Sequence, residues 1–324
     1  MKKIGILYGK EDTFPHALVQ EINARGAEDI VAESVEVGGV FMAEPSGYRI
    51  LIDRISQDIP FYRAFLKNAI LSGTTVINNP FWWSADDKFF NYALASQIGI
   101  AIPRTVLLPN KEHTPDTSAQ SYRNLMYPLD WDEIFEYVGF PSFLKPHSGG
   151  GWKHVYKVHS REEFFEAYAQ TGDLCMTLQQ GIEFDDYFRC YVIGQQEVHI
   201  MRYDPRRPHA ERYVLDAPPI APEMHARIVH DCLTICRALG YDMNTVEFAL
   251  QDGIPYAIDF LNPAPDADLA SVGKENFDWI VNAMADLAID EAKQEPKPLE
   301  DYRWSTFLDS SLTPVRVPKP HSGS

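Results

Sequence analysis

A short apolar run, Phe140-Pro141-Ser142-Phe143-Leu144, delivers Lys145 directly into the glycine-rich segment Ser148-Gly149-Gly150-Gly151-Trp152-Lys153-His154. This succession narrows the fold more than any other stretch, because a strand ending on a lysine beside a pliable loop is a layout for holding an anionic oxygen. Consecutive glycines leave backbone N–H groups unshielded and accept positive φ, so the main chain can close over such an oxygen. Lys145 supplies the matching point charge. The lysine precedes the glycines and does not follow them into a helix, so the segment is not a Walker A loop. A glycine-rich hairpin turn with a surface lysine fits the same residues, and the rest of the chain has to decide between the two.

The 324 residues, 45% hydrophobic and 12% aromatic, are enough for two or three packed units. Acidic residues outnumber basic ones by 46 to 29, a formal charge of -17, which opposes generic binding to nucleic acid or an anionic membrane. An anionic ligand must therefore be held by a local cluster. Met1-Lys2-Lys3-Ile4-Gly5-Ile6-Leu7 enters a strand-like run directly, and no later stretch approaches a membrane-spanning length. The expectation is a cytoplasmic protein with no nucleic-acid or membrane partner. Cys175, Cys190, Cys232 and Cys236 show no C-x-x-C spacing and read as reduced packing residues, and the ten histidines show no zinc-ligand spacing.

Residues 1–79 alternate strand and helix signals, the pattern of an open α/β sheet, with Gly9-Lys10-Glu11-Asp12 beyond the end of the first strand. Arg54 is placed either to meet a substrate carboxylate or to pair with Asp58. Ser84 to Gly99 reads as one helix capped by Ser84, with Lys88 just beyond its first turn. Asn110 to Pro128 reads as a polar surface loop. The order after the glycine segment is strand, helix capped at Ser160, strand to Gln179, linker, and two further strands ending at Gly194 and Tyr203. A helix from Pro222 to Gly240 carries Ile228, Cys232, Ile235, Cys236 and Leu239 on one apolar stripe. Asn244–Leu250 and Pro255–Phe260 flank Asp252-Gly253 as a hairpin with Glu247 on one arm and Asp259 on the other. An odd loop puts the two acids on one face, whereas a two-residue loop separates them.

Taken in order, Lys88, Lys145 with Gly149–Gly151, the Gln179–Ile182 strand end, Arg189, Arg202, Glu247, Asp259 and Asn262 resemble the ATP-grasp superfamily, in particular its carboxylate–amine ligase branch. Glutathione synthetases, ribosomal-protein glutamate ligases and D-alanine–D-alanine ligases are of this kind. The resemblance runs over residues 75–290 and includes Val76-Ile77-Asn78-Asn79-Pro80, Gly99-Ile100-Ala101-Ile102-Pro103-Arg104-Thr105 and Tyr256-Ala257-Ile258-Asp259. It implies an α/β plus α+β chain: an open α/β pre-ATP-grasp domain over 1–79, then a two-part ATP-grasp fold. The parts are a central subdomain with the glycine lid, 80–180, and a subdomain with a metal site, 181–293, followed by a proline-rich tail, 294–324.

The same resemblance implies that ATP lies between the two halves. Lys88 and Lys145 would neutralise its phosphates, Ser148, Gly149, Gly150 and Gly151 would belong to the lid, and Gln179 would meet the adenine amino group. Gln180 and Ile182 would offer backbone contacts, and Asp185 or Asp186 would meet the ribose. Glu247, Asp259 and Asn262 would hold Mg2+ or Mn2+. A substrate carboxylate would take the γ-phosphoryl group to give an acyl phosphate, with Arg189 and Arg202 neutralising charge, and an amine would displace phosphate.

Two positions depart from the family pattern. Asp259 and Asn262 are three apart where the family has two, and Gln179 stands where a glutamate is common. The first leaves Asp266 or Asp268 as alternative third ligands. The expectation is a ligase for small-molecule carboxylates and amines, as a homodimer; a non-catalytic ATP-binding protein and a small-molecule kinase use the same scaffold.

Overall fold

The computed structural model describes residues 1–26, 29–149, 152–208, 211–214, 218–296 and Tyr302. In chain order the elements are β1 (Lys2–Tyr8), α1 (Phe14–Ala24), β2 (Ile30–Ser34), β3 (Ile50–Arg54), α2 (Pro60–Leu71) and β4 (Thr75–Ile77). They continue with α3 (Pro80–Trp83), α4 (Lys88–Gln97), β5 (Thr105–Leu108), α5 (Trp131–Val138), β6 (Ser142–Pro146), β7 (Tyr156–Val158), α6 (Arg161–Tyr168) and β8 (Met176–Gln180). The last are β9 (Asp186–Ile193), β10 (Glu197–Arg202), α7 (Pro222–Leu239), β11 (Met243–Gln251), β12 (Ile254–Asp259), α8 (Leu269–Val272) and α9 (Lys274–Lys293).

Three four-stranded sheets result, with orders β2-β1-β3-β4, β5-β8-β6-β7 and β10-β9-β11-β12. The first is parallel, as near-continuous apolar strands such as Ile50-Leu51-Ile52 require once helices cover both faces. The other two are antiparallel. An open α/β unit followed by two α+β halves is the expected class, and α7 ends with Gly240 in the left-handed region, as its sequence predicts.

The helix expected to be capped by Ser84 starts later, at Lys88. Ser84 closes α3, and Asp87, in extended conformation, caps α4 by accepting a hydrogen bond from Phe90 N. Lys88 therefore opens α4, where a cation faces the positive end of the helix dipole and needs a compensating anion.

Cores are shared unevenly. Ile4, Ile6, Ile50 and Ile52 of the parallel sheet pack in one cluster with Ile280, Met284 and Ala288 of α9 and with Tyr191, Ile193 and Met243 of the third sheet. The central sheet has its own core of Leu108, Phe135, Val138, Leu144, Phe164 and Leu178. Asn78 ties the first sheet to the third with both ends of its amide: Nδ2 donates to the carbonyls of Met243 and Pro263, and Oδ1 accepts from Asp242 N and Met243 N.

Asp268 makes a second tie. Its Oδ1 accepts from Thr13 N at 3.0 Å, Thr13 Oγ1 at 2.9 Å and Phe14 N at 3.2 Å, capping α1 from 255 residues away. Partial burial opposes its charge, but the Thr13 and Phe14 donors outweigh it and hold the carboxyl below its ordinary value. Asp268→Ala should lower unfolding free energy by about 1–2 kcal/mol, the worth of a strong N-cap. Because the folded value is depressed, this contribution is present above about pH 4 and lost as pH falls through the folded value. Denaturant melts of both proteins at pH 7 and pH 3 check this.

Candidate functional site

The cleft between the central and third sheets is lined from both sides. Phe143, Lys145 and Pro146 of β6, Ser148, Gly149, Trp152, Lys153 and Val155 of the loop, and Gln179 and Gln180 of β8 face Tyr187, Glu247, Ala249, Ile258 and Asp259 of the third sheet. Lys88, Ile182, Phe184 and Pro205 complete the wall, and no lining residue comes from residues 1–79. Apolar side chains and the charged groups of Lys88, Lys145, Lys153, Glu247 and Asp259 thus share one concave space. A base-like ring and an anionic tail could both be accommodated there.

Lys145 is delivered by β6, whose residues Leu144 and Lys145 pair with Leu178 and Thr177 of β8. Its Nζ donates to Tyr92 Oη at 2.7 Å and to Gln179 Oε1 at 2.8 Å, both neutral. Burial, and next the Lys88 cation, pull its pKa down to about 7, against the opposing pull of Asp259 and Glu247. Gln179 Nε2 donates to Thr105 Oγ1 at 3.0 Å, so its amide holds Lys145 and β5 together and does not stand open toward a base. The side chain expected to meet adenine thus supports Lys145 while still lining the cleft.

The acids stand on the β11–β12 hairpin. Its loop is the two residues Asp252-Gly253, which on an unbroken ladder would place Glu247 and Asp259 on opposite faces. The ladder is broken: Gln251, Leu250, Ala249 and Phe248 pair in turn with Ile254, Pro255, Tyr256 and Ala257, and then Glu247 pairs with Asp259. Ile258 is the extra residue of a β-bulge, and it turns Asp259 to the face of Glu247. The bulge thus decides a register that loop length alone left open.

Each acid has a cation. Lys88 Nζ lies 3.1 and 3.2 Å from the two Asp259 oxygens. Burial opposes ionisation of Asp259, and Lys88 and Lys145 overcome it, holding the carboxyl below its ordinary value. Glu247 accepts from Tyr187 Oη at 2.6 Å, and Arg189 Nη1 lies 3.9 Å away on the neighbouring strand. Burial, outweighing Arg189 and reinforced by Asp259, raises the Glu247 pKa. Two facing carboxylates of which one resists ionisation make a donor set that a divalent cation would satisfy.

The remaining expected residues are placed differently. Asp186 pairs with Arg202, whose Nη2 also donates to Pro218 O, and neither Asp185, Asp186, Arg189 nor Arg202 lines the cleft. Asn262 Nδ2 donates to Thr245 O at 3.0 Å, and Asn262 also stands outside the lining. Asp266 accepts from Ser271 Oγ and Asp268 N, while Asp268 caps α1, so both are occupied away from the acid pair. Gly150 and Gly151 lie outside the described residues. Arg54 meets Glu11 and Pro265 O instead of a free carboxylate or Asp58. Sequence reasoning did not single out Tyr92, Phe184, Tyr187 or Pro205; Phe184 and Tyr187 flank Asp185 and Asp186, and Thr105 closes a family-like stretch without a role of its own.

No family model matches this chain. Mitochondrial pyruvate carboxylase of Homo sapiens is 27% identical over 131 residues, which is 36% of this chain and 11% of that protein. The fold has solved counterparts over most of its length. VanG D-Ala:D-Ser ligase from Enterococcus faecalis matches with a TM-score of 0.65 and 18% identity over 90% of this chain and 99% of that one. D-alanine–D-alanine ligase from Bacillus anthracis complexed with ATP gives 0.63 and 16% over 90% and 98%. ATP-grasp ligase PsnB complexed with minimal precursor, Mg and ADP gives 0.60 and 16% over 90% and 98%. The chain shares the fold of these three ligases.

Lys88 should control the titration of Lys145. In Lys88→Met the nearby cation is gone and Asp259 acts on Lys145 alone, so the Lys145 pKa should rise from about 7 toward the free-lysine value. Heteronuclear NMR of the lysine Nζ and Cε groups against pH measures it.

Proposed function

We propose that this chain is an ATP- and Mg2+-dependent ligase that joins a carboxylic acid to an amine and releases ADP and phosphate. The observation that carries this reading is the convergence of Lys88, Lys145, Glu247 and Asp259 on one cleft that also offers an apolar wall. The expected homodimer and cytoplasmic setting belong to the same proposal. Among the described residues no helix is long and apolar enough to cross a membrane.

ATP is a substrate here. Lys145 holds its phosphates, because a buried lysine with only neutral acceptors regains its full charge when an anion arrives. Ser148 and Gly149 offer backbone groups over the same phosphates, and Phe143, Ile182, Ala249 and Ile258 offer apolar surface to the base. The Gln180 and Ile182 backbones remain as base contacts, with Gln179 acting through Lys145. Glu247 and Asp259 would hold Mg2+, joined by the Asn262 carbonyl once that residue turns inward, and the ion supplies neutralisation of phosphate charge.

The chemistry needs no protein nucleophile. A substrate carboxylate oxygen attacks the γ-phosphorus and ADP leaves, giving an acyl phosphate. The amine then attacks the carbonyl carbon, and phosphate leaves with loss of one proton. Arg189, whose buried Nε has no hydrogen-bond partner among the described residues, is suited to the charge that builds on these oxygens. Arg202 acts at one remove, through Asp186. Closure of the glycine segment would keep water from the acyl phosphate.

Coupled assays across carboxylate and amine pairs should show ADP and phosphate in equal amounts only when both are present. AMP with pyrophosphate would reject the reading, and a stable phosphorylated acid would make the protein a kinase. Lys145→Ala should cut turnover by about 100-fold or more, as loss of a charged transition-state contact does, with the melting temperature retained. Because Lys145 titrates near 7 when free and higher against phosphate, ATP binding at pH 8 should take up protons, and affinity should fall as pH rises above 7. Calorimetry in buffers of different ionisation enthalpy reads the proton count.

A further inference from the structure

Tyr92, on α4, belongs to none of the roles above. It is buried at 4% exposure and does not line the cleft. Its hydroxyl nevertheless stands at the meeting point of the site's two halves. It accepts from Lys145 Nζ at 2.7 Å and donates to Ile258 O at 3.1 Å. The lysine comes from the central sheet, and Ile258 is the bulge residue that turns Asp259 toward Glu247.

We propose that Tyr92 is a positioning residue whose hydroxyl ties the phosphate-binding lysine to the bulge that aligns the acid pair. This inference rests on the ligase reading of the same cleft. Three observations support it. A hydroxyl has one proton, and here that proton goes to Ile258 O, which fixes its lone pairs toward Lys145. The Tyr92 ring is held independently, edge-on to Phe260 at 5.6 Å and with Lys145 Nζ 5.0 Å from its centroid, so the hydroxyl is not free to seek another partner. Burial, and next the Asp259 charge, push the phenol pKa well above its ordinary value, so the group stays protonated and the donation to Ile258 persists at working pH.

The geometry gives one hydroxyl two effects. Without it, Ile258 O loses its only side-chain donor in the described residues, and the bulge keeps from α4 only the grip of Lys88 on Asp259. Lys145 is left with Gln179 alone as a polar neighbour. Both the lysine and the acid pair then acquire freedom that a nucleotide and its metal must remove on binding. A residue that only filled the core would affect neither in particular.

Tyr92→Phe keeps the ring contacts and removes the hydroxyl. Hydrogen exchange by mass spectrometry should show faster exchange over residues 257–261 and 143–146, with the β1–β4 sheet unchanged. The Mg2+ concentration for half-maximal ADP release should rise by about tenfold, and ATP binding without metal should weaken by about tenfold, each the worth of one charge-linked hydrogen bond. In a Lys145→Met background, Tyr92→Phe should still raise the Mg2+ requirement but no longer change metal-free ATP binding. A folded Tyr92→Phe protein with unchanged exchange at residues 257–261 overturns the proposal, as does an unchanged Mg2+ requirement. If the parent protein binds no ATP, the ligase reading fails and exchange alone decides for or against the tie.

Discussion

Charge buried away from water is the constraint on which the site depends. Lys88, Lys145, Glu247 and Asp259 share one cleft, and an isolated charge in such a place is costly unless it is paired and hydrogen-bonded. The pairing is deliberately unequal. Lys88 is matched to Asp259 by two contacts, and this also offsets its unfavourable position at the start of α4. Glu247 has a phenol and a more distant guanidinium. Lys145 has only a phenol and an amide as hydrogen-bond partners, and burial, with the Lys88 cation beside it, pulls its pKa down to about 7. Lys145 is thus a buried cleft cation that has no carboxylate within ion-pair distance among the described residues. An incoming polyanion completes the set, which is a physical reason for selectivity in a protein of net charge -17.

Gln179 fits this arrangement. A glutamate at the same place would give Lys145 a full counter-charge and a raised pKa, and the lysine would then have to exchange one anion for another. The glutamine accepts the same hydrogen bond without that competition. What in sequence looked like a departure at the base contact is in space a neutral ligand of the lysine.

How much was legible in sequence depends on how local the cause was. The parallel sheet, the hairpin around Asp252-Gly253, α7 with its Gly240 cap and the lysine strand all follow from periodicity and turn chemistry, which act within a few residues. The facing of Glu247 and Asp259 did not, because a bulge has no strong local signature and loop length alone leaves the register open. The start of α4 was misplaced since Ser84 and Asp87 are both good caps, and the preceding short helix α3, opened by Pro80, claimed the first. Asp186 and Arg202 each looked like site residues, yet they satisfy one another across the β9–β10 ladder. The ties made by Asn78 and Asp268 had no signal in sequence, their partners being 165 and 255 residues away.

Those long-range ties decide which parts can move. The first and third sheets share a core through α9 and are joined again by Asn78 and Asp268, so they form one body. The central sheet has a separate core and meets that body through α4 and the linker after β8. At the linker Gly181 donates its N–H to Pro141 O, and a Cβ there would come within 2.6 Å of that oxygen, so the crossing requires glycine for close approach. If the cleft opens, the separate core of the central half means that this half, with Lys145, would turn against the hairpin that carries Glu247 and Asp259. A hinge of this kind is useful only if the two halves meet in one register when closed. The Tyr92 hydroxyl, bonded to the lysine on one side and to the bulge on the other, sits where that register is set.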